Sequence, residues 1–119
     1  MAFVYVFIGG GVGSIFRYGI SRLLVTADFN FPLATLLANA ISCIVLGFLM
    51  SMGFESRLSP EYRLLFLTGF CGGFSTFSTF SGETLTLYSD GNTAYALLNI
   101  GLNVIICLIC IYIGMRLGR

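Results

Sequence analysis

Four apolar runs fill nearly the whole chain, and the third is interrupted by the dodecamer GFCGGFSTFSTF at residues 69–80. A helix crossing lipid has to satisfy its own backbone, because hydrocarbon offers no water to do so. Three glycines followed by alternating Ser/Thr and Phe make a poor continuous helix. Such a stretch is tolerated at membrane depth only where protein buries it or where it lines a polar cavity. The dodecamer therefore predicts a third helix broken in mid-membrane, and it marks the place where something crosses the bilayer.

The remainder of the chain suits lipid. Of its 119 residues 57% are hydrophobic and 9% charged, whereas soluble domains carry about 25% charged residues. The class expected is an all-α membrane protein. A net charge of +1, carried by six scattered arginines and no lysine, makes no case for nucleic acid. Cys43, Cys71, Cys107 and Cys110 all fall in apolar segments and histidine is absent, which argues against a zinc or redox site. All four read as small buried hydrophobes. The first run lacks a basic leader and outlasts a signal-peptide core, so it reads as a retained helix.

A span needs roughly 20 apolar residues. The runs predict helices over about 3–24, 32–54, 63–88 and 94–117, in a single four-helix domain covering 1–119. Pro32 suits a first helical position, as does Pro60 after Ser59, and Ser89-Asp90-Gly91-Asn92 is a turn cluster. Short connections suggest a pair of helical hairpins with no soluble domain. Arg57, Arg63, Arg116 and Arg119 share the side of both termini, against one or two on the other, Arg22 alone or with Arg17. That bias leans toward cytoplasmic termini in a plasma (inner) membrane, and leaves insertion in both orientations open. Four helices enclose little central space, so a pathway calls for a second copy. Gly9 and Gly13, and more loosely Gly10 and Ser14, permit close helix contact, either within the chain or between copies.

Polar residues at membrane depth form three sets. Thr35 and Asn39 lie one turn apart on the second helix, where they either glue helices together or serve a pathway. Asn99, Asn103 and Cys107 make a stripe on the fourth helix, and an amide ladder can donate hydrogen bonds to an anion. In the dodecamer Phe74, Phe77 and Phe80 share one face if helix is maintained, with Ser75, Ser78 and Ser81 on the next. A ring edge carries the positive part of the aromatic quadrupole and can face an anion. Weak, multiple sites of this kind are what conduction requires. Gly72-Gly73 is expected to free backbone groups at the break, its carbonyls suiting a cation and its amides an anion. Arg17 can snorkel or form an electropositive vestibule. Glu83 can pair with an arginine, cap a half-helix or couple protons.

Together GGGVGSIFRY (9–18), ATLLANAISCIVLG (34–47), GFCGGFSTFSTFSGE (69–83) and ALLNIGLN (96–103) resemble the CrcB/Fluc family of fluoride channels over essentially the whole chain. The resemblance implies an antiparallel, dual-topology homodimer with two fluoride pathways along its interface. It implies a structural sodium ion held by backbone carbonyls, here of Gly72 and Ser75, at the dimer centre. It implies a fluoride pathway along Phe77 and Phe80, Asn39 and Thr35, Ser78 and Thr79, and Asn99, Asn103 and Cys107, with Arg17 at the vestibule. Relatives often have Ser where Cys107 stands and Thr where Ser75 stands. The expected function is passive fluoride export that lowers the ion's toxicity. A small dual-topology multidrug-type exporter would need a carboxylate in the first span, which has none. A non-conducting membrane assembly subunit would leave the converging polar stripes unexplained. An enzyme would lack candidate acid–base and metal groups.

Overall fold

The computed structural model describes residues 1–25 and 30–119, apart from the side chains at positions 54 and 55. Its elements are α1 (Ala2–Leu24), α2 (Leu33–Ser51), the short α3 (Phe54–Arg57), α4 (Pro60–Arg63), a π-helical stretch (Leu64–Cys71), α5 (Gly72–Phe74), α6 (Phe77–Ser89) and α7 (Thr93–Leu117). Four helical segments are long and apolar enough to cross a membrane: Ala2–Leu24, Leu33–Ser51, Pro60–Ser89 and Thr93–Leu117. The second ends at Ser51, three residues short of the sequence expectation, because Gly53 turns the chain with φ +68°. The third starts at Pro60, with Ser59 at the N-cap position and the proline at a site that needs no N–H.

Consecutive spans are not the main packing partners, contrary to the expected hairpins. Instead α1 lies along the first half of the third span, and α2 lies along α7. Glycines set both contacts. Gly9 packs on Leu65 and Phe70, and Gly13 on Phe70, Gly73 and Phe74; Gly47 packs on Ile111 and Met115, and Gly114 on Ile44 and Phe48. In each pair, advancing along one helix advances along the other, so the partners run parallel, as alternate spans must. A Cβ at Gly13 would fall on the Phe70 carbonyl, and one at Gly114 on the Ile44 carbonyl. The Gly9/Gly13 pair is therefore an intrachain contact, which lets backbones touch where lipid supplies no hydrophobic drive.

The third span breaks, but not at its glycine pair. The π-helical stretch continues into α5 through helical Cys71 and Gly72. Gly73 is used for contact, since a Cβ there would strike the Gly10 carbonyl. The chain extends only at Ser75 (φ −83°, ψ 157°) and Thr76 (φ −149°, ψ 122°). Phe74 consequently does not share a face with Phe77 and Phe80. It is buried beside Phe70 and Phe16, with ring centroids 5.7 and 6.1 Å away, and closes the end of the first half. Ser75 is likewise separated from Ser78 and Ser81 by the break.

Candidate functional site

Two extended residues inside an apolar span leave backbone groups that need partners, and α2 supplies them. The Thr76 N–H donates to Asn39 Oδ1 (2.8 Å), while Asn39 Nδ2 donates to the Thr76 carbonyl (3.3 Å). The amide thus pairs with the chain as a neighbouring strand would. The Cys71 carbonyl, which ends the helical half, accepts from Ser75 N (3.1 Å), Ser75 Oγ (2.9 Å) and Ser42 Oγ (3.0 Å). On the far side Thr76 caps α6, its hydroxyl accepting from Thr79 N (3.2 Å) and donating to Thr79 Oγ1 (3.1 Å). Hydroxyl and amide side chains, which compete with helical bonding in any context, make the break and then satisfy it.

A directional chain of hydrogen bonds runs on from Asn39. Asn39 Nδ2 also donates to Asn103 Oδ1 (3.3 Å), and Asn103 Nδ2 donates to Asn99 Oδ1 (2.8 Å) and to the Asn99 carbonyl (2.9 Å). Asn99 Nδ2 donates to Thr84 Oγ1 (2.8 Å), whose own proton goes to the Phe80 carbonyl (2.8 Å). Asn39, Asn99 and Asn103 are all buried, Asn99 with only 1% of its surface exposed. The two amides of the fourth-helix stripe are therefore fully occupied with each other and with their neighbours. The 3.3 Å bonds of Asn39 lie at the long end for N–H···O contacts, so they are the weakest links in this chain.

Beside this network lies a groove of about 260 Å³, lined by Asn39, Cys43, Ser75, Thr76, Phe77, Phe80, Asn103, Val104 and Cys107. Six of these were expected from the sequence: Asn39, Ser75, Phe77, Phe80, Asn103 and Cys107. The two rings are 5.5 Å apart and tilted by 50°. Phe80 is 9% exposed, whereas Phe77 is 78% exposed and stands at the groove's outer edge. A second cavity, also about 260 Å³, is lined by Ser14, Arg17, Tyr18, Ser21, Ala34, Thr35, Thr76, Thr79 and Glu83. Thr76 borders both spaces, so the broken segment forms the partition between them.

In the second cavity Thr35 Oγ1 donates to Glu83 Oε1 (2.7 Å), while buried Glu83 Oε2 has no hydrogen-bond partner among the described residues. Among those residues Glu83 neither pairs with an arginine nor caps a half-helix. Arg17 lines the same cavity and is partly exposed. Ser78 lies exposed near Thr76 Oγ1 (3.4 Å) and borders neither space. Asn99 also borders neither, and acts within the network. Gly72 is exposed with open space around its Cα. No hydrogen-bond donor among the described residues reaches the carbonyl oxygen of Gly72 or of Ser75. That is the state expected of carbonyls that serve as cation ligands.

Sequence reasoning missed Thr76, Ser42, Thr84 and Cys43. Ser42 and Cys43 follow Asn39 at helical spacing, a signal that could have been read. Thr76 acts mainly through its backbone, which residue type does not reveal.

Helix count and span length define a multi-pass membrane protein, with a groove beside the break in its third span. Comparison with known proteins narrows the class. The family model described as "CrcB-like protein, Camphor Resistance (CrcB)" matches residues 4–115. A protein of Methanococcus aeolicus named "Fluoride-specific ion channel FluC" is 47% identical over 107 residues, covering 90% of this chain and 86% of its own length. Proteins of the same name from Pyrococcus abyssi and Shewanella oneidensis are 44% identical over 115 residues and 40% identical over 111. These cover 94% and 92% of this chain, and 91% and 90% of their own lengths. The chain belongs to the CrcB family.

Proposed function

We propose that this chain is a fluoride-specific channel, not an enzyme, that lets the ion leave the cytoplasm passively and so lowers its toxicity. The observation that carries the reading is the groove, in which Asn39, Asn103, Ser75, Phe77 and Phe80 converge beside the broken helix. The names of the relatives point the same way. Fluoride is small and strongly hydrated, and dehydration has to be repaid by several donors at once. Asn39 can exchange its two long bonds for one to the anion, while the edges of Phe77 and Phe80 add positive quadrupole without a trapping charge. Arg17 gathers anions at the entrance from within the second cavity.

Two copies inserted in opposite orientations would close the open side of each groove and cover the exposed ring of Phe77. The break would then sit at mid-membrane. Gly72 and Ser75 would hold a sodium ion at the dimer centre, where its charge would compensate their donor-free carbonyls.

Purified protein in liposomes should release fluoride, and not chloride, when a potassium ionophore balances charge. Equal passage of the two anions would end the selectivity claim. Replacing sodium on both sides with a large organic cation should slow or stop that flux. Undiminished flux would remove the ion from Gly72 and Ser75.

A further inference from the structure

The close approach of α2 and α7 has a second result besides the groove's amides. Because these helices run parallel, each residue that faces its partner is followed one turn later by another that does so. Asn39 meets Asn103, and one turn on Cys43 and Cys107 take the matching positions and line the same groove. Gly47 then packs on Ile111, which holds the helices together at that level. Cys43 and Cys107 are both half-buried, unpaired by disulfide, and line the same groove as Phe77 and Phe80. Cys71 and Cys110 are buried and border neither this groove nor the second cavity.

We infer that Cys43 and Cys107 form a two-sulfur site for a soft, thiophilic metal cation, and that a metal held there closes the groove. Among the described residues no group of three or more His, Cys, Asp or Glu is arranged to hold a metal ion. Ions that need four ligands therefore find no cage, and the site suits cations content with two sulfurs in line. Thiolate selects such soft cations over hard ones, and binding releases the thiol protons. With mercuric chloride as the probe, each mercury forms two Hg–S bonds, and two protons leave with two chlorides. The metal would lie one turn from the Asn39–Asn103 contact, beside the two rings. A cation fixed there fills the space an anion must cross, and no flanking carboxylate borders the groove to draw it onward.

Thiol titration of the purified dimer tests binding independently of fluoride transport. One mercury per chain is expected to mask two of the four thiols, and peptide mapping of the remaining reactive cysteines should find Cys71 and Cys110. In Cys43→Ala, as in Cys107→Ser, each mercury should mask only one groove thiol. In liposomes the same dose of mercuric chloride should abolish fluoride efflux, and a dithiol chelator should restore it. The Cys43→Ala/Cys107→Ser double variant, compared with itself before and after mercury, should keep whatever flux it has. Masking of one thiol per mercury in the native protein, or of Cys71 with Cys110, would overturn the site. Masking of the predicted pair without loss of efflux would overturn the closure. Absence of fluoride efflux before any mercury is added would instead count against the channel reading, and leaves the titration to decide the metal site.

Discussion

The two parallel helix pairs are built from the same device and reach different ends. Along α1 and the first half of the third span, glycine meets backbone at Gly9, Gly13, Gly69 and Gly73, and aromatic rings seal the end. The groove lined by Phe77 and Phe80 does not reach that seam, and the second cavity meets it only at its end, at Ser14. Along α2 and α7, glycine contact is confined to one end, at Gly47 and Gly114. At the other end Asn39 and Asn103 take the facing positions, and the pair borders a groove. Removing side chains brings backbones together; placing amides there leaves space whose walls can hydrogen bond. The first pair is a clamp, and the second combines a clamp with the groove proposed above as the ion's path.

The largest effect is expected from attacking the clamp. Gly13→Leu would drive a side chain into the Phe70 carbonyl and the Phe74 amide, neither of which can retreat without moving the third span. Overpacking ordinarily costs about 1–3 kcal/mol, and a backbone collision belongs at the upper end. The variant should fail to give a monodisperse peak in detergent. Gly11→Leu, two residues away in open space, should behave like the native chain. If both variants are equally well folded, glycine contact is not what holds α1 in place.

Next in size comes the amide that bridges conduit and break. Asn39→Leu keeps bulk but strands the Thr76 N–H and carbonyl, each unsatisfied group costing about 1–3 kcal/mol. A lower melting temperature together with lost fluoride efflux is expected. Native melting would show that the extended segment has another support, and would reduce Asn39 to a pathway residue alone.

The sequence makes one side of this comparison more legible than the other. Span positions are readable because lipid demands long apolar runs, and the observed segments agree with the expected ones within a few residues. The residues of the conduit are readable because amides and hydroxyls are costly in lipid and so carry a reason for being there. The position of the break is not. Gly72-Gly73 looks like the weak point by helix propensity, yet Gly73 is needed for contact with Gly10 while the helix continues through it. The chain opens at Ser75 and Thr76, where Asn39 and Cys71 offer replacement bonds. That depends on a partner helix, which no local pattern contains. Pairing is hidden for a related reason. Short loops suggest neighbours in sequence, whereas the glycine stripes that select α1 with the third span and α2 with α7 do not name their partners.

A middle-sized effect should separate the two rings. Phe80 is buried in the groove wall and Phe77 stands exposed at its outer edge. An edge-on ring contact is worth about 0.5–1.5 kcal/mol, and a barrier raised by about 1.4 kcal/mol slows passage about tenfold. Phe80→Ile should therefore reduce fluoride efflux by up to about tenfold while the fold stays intact. Unchanged efflux would make the ring a packing element, and would move the conduit's selectivity onto the amides.

The smallest effect belongs to the second cavity, which tests whether a polar contact counts for as much at an open wall as in the network. Thr35 Oγ1 binds Glu83 Oε1 at 2.7 Å, shorter than either Asn39 Nδ2 bond. By distance alone, Thr35→Val should be the more damaging change. Environment argues the reverse. Glu83 lines a cavity roomy enough for water, and water can replace a lost donor at little cost. Thr76 is buried, and a leucine in place of Asn39 offers neither an acceptor to its N–H nor a donor to its carbonyl. Thr35→Val is therefore expected to cost about 1 kcal/mol, the ordinary net value of one hydrogen bond. Melting curves of Thr35→Val and Asn39→Leu, measured together, decide the matter. A larger loss for Thr35→Val would mean that the Thr35–Glu83 bond, and not the amide at the break, ties α2 to the third span.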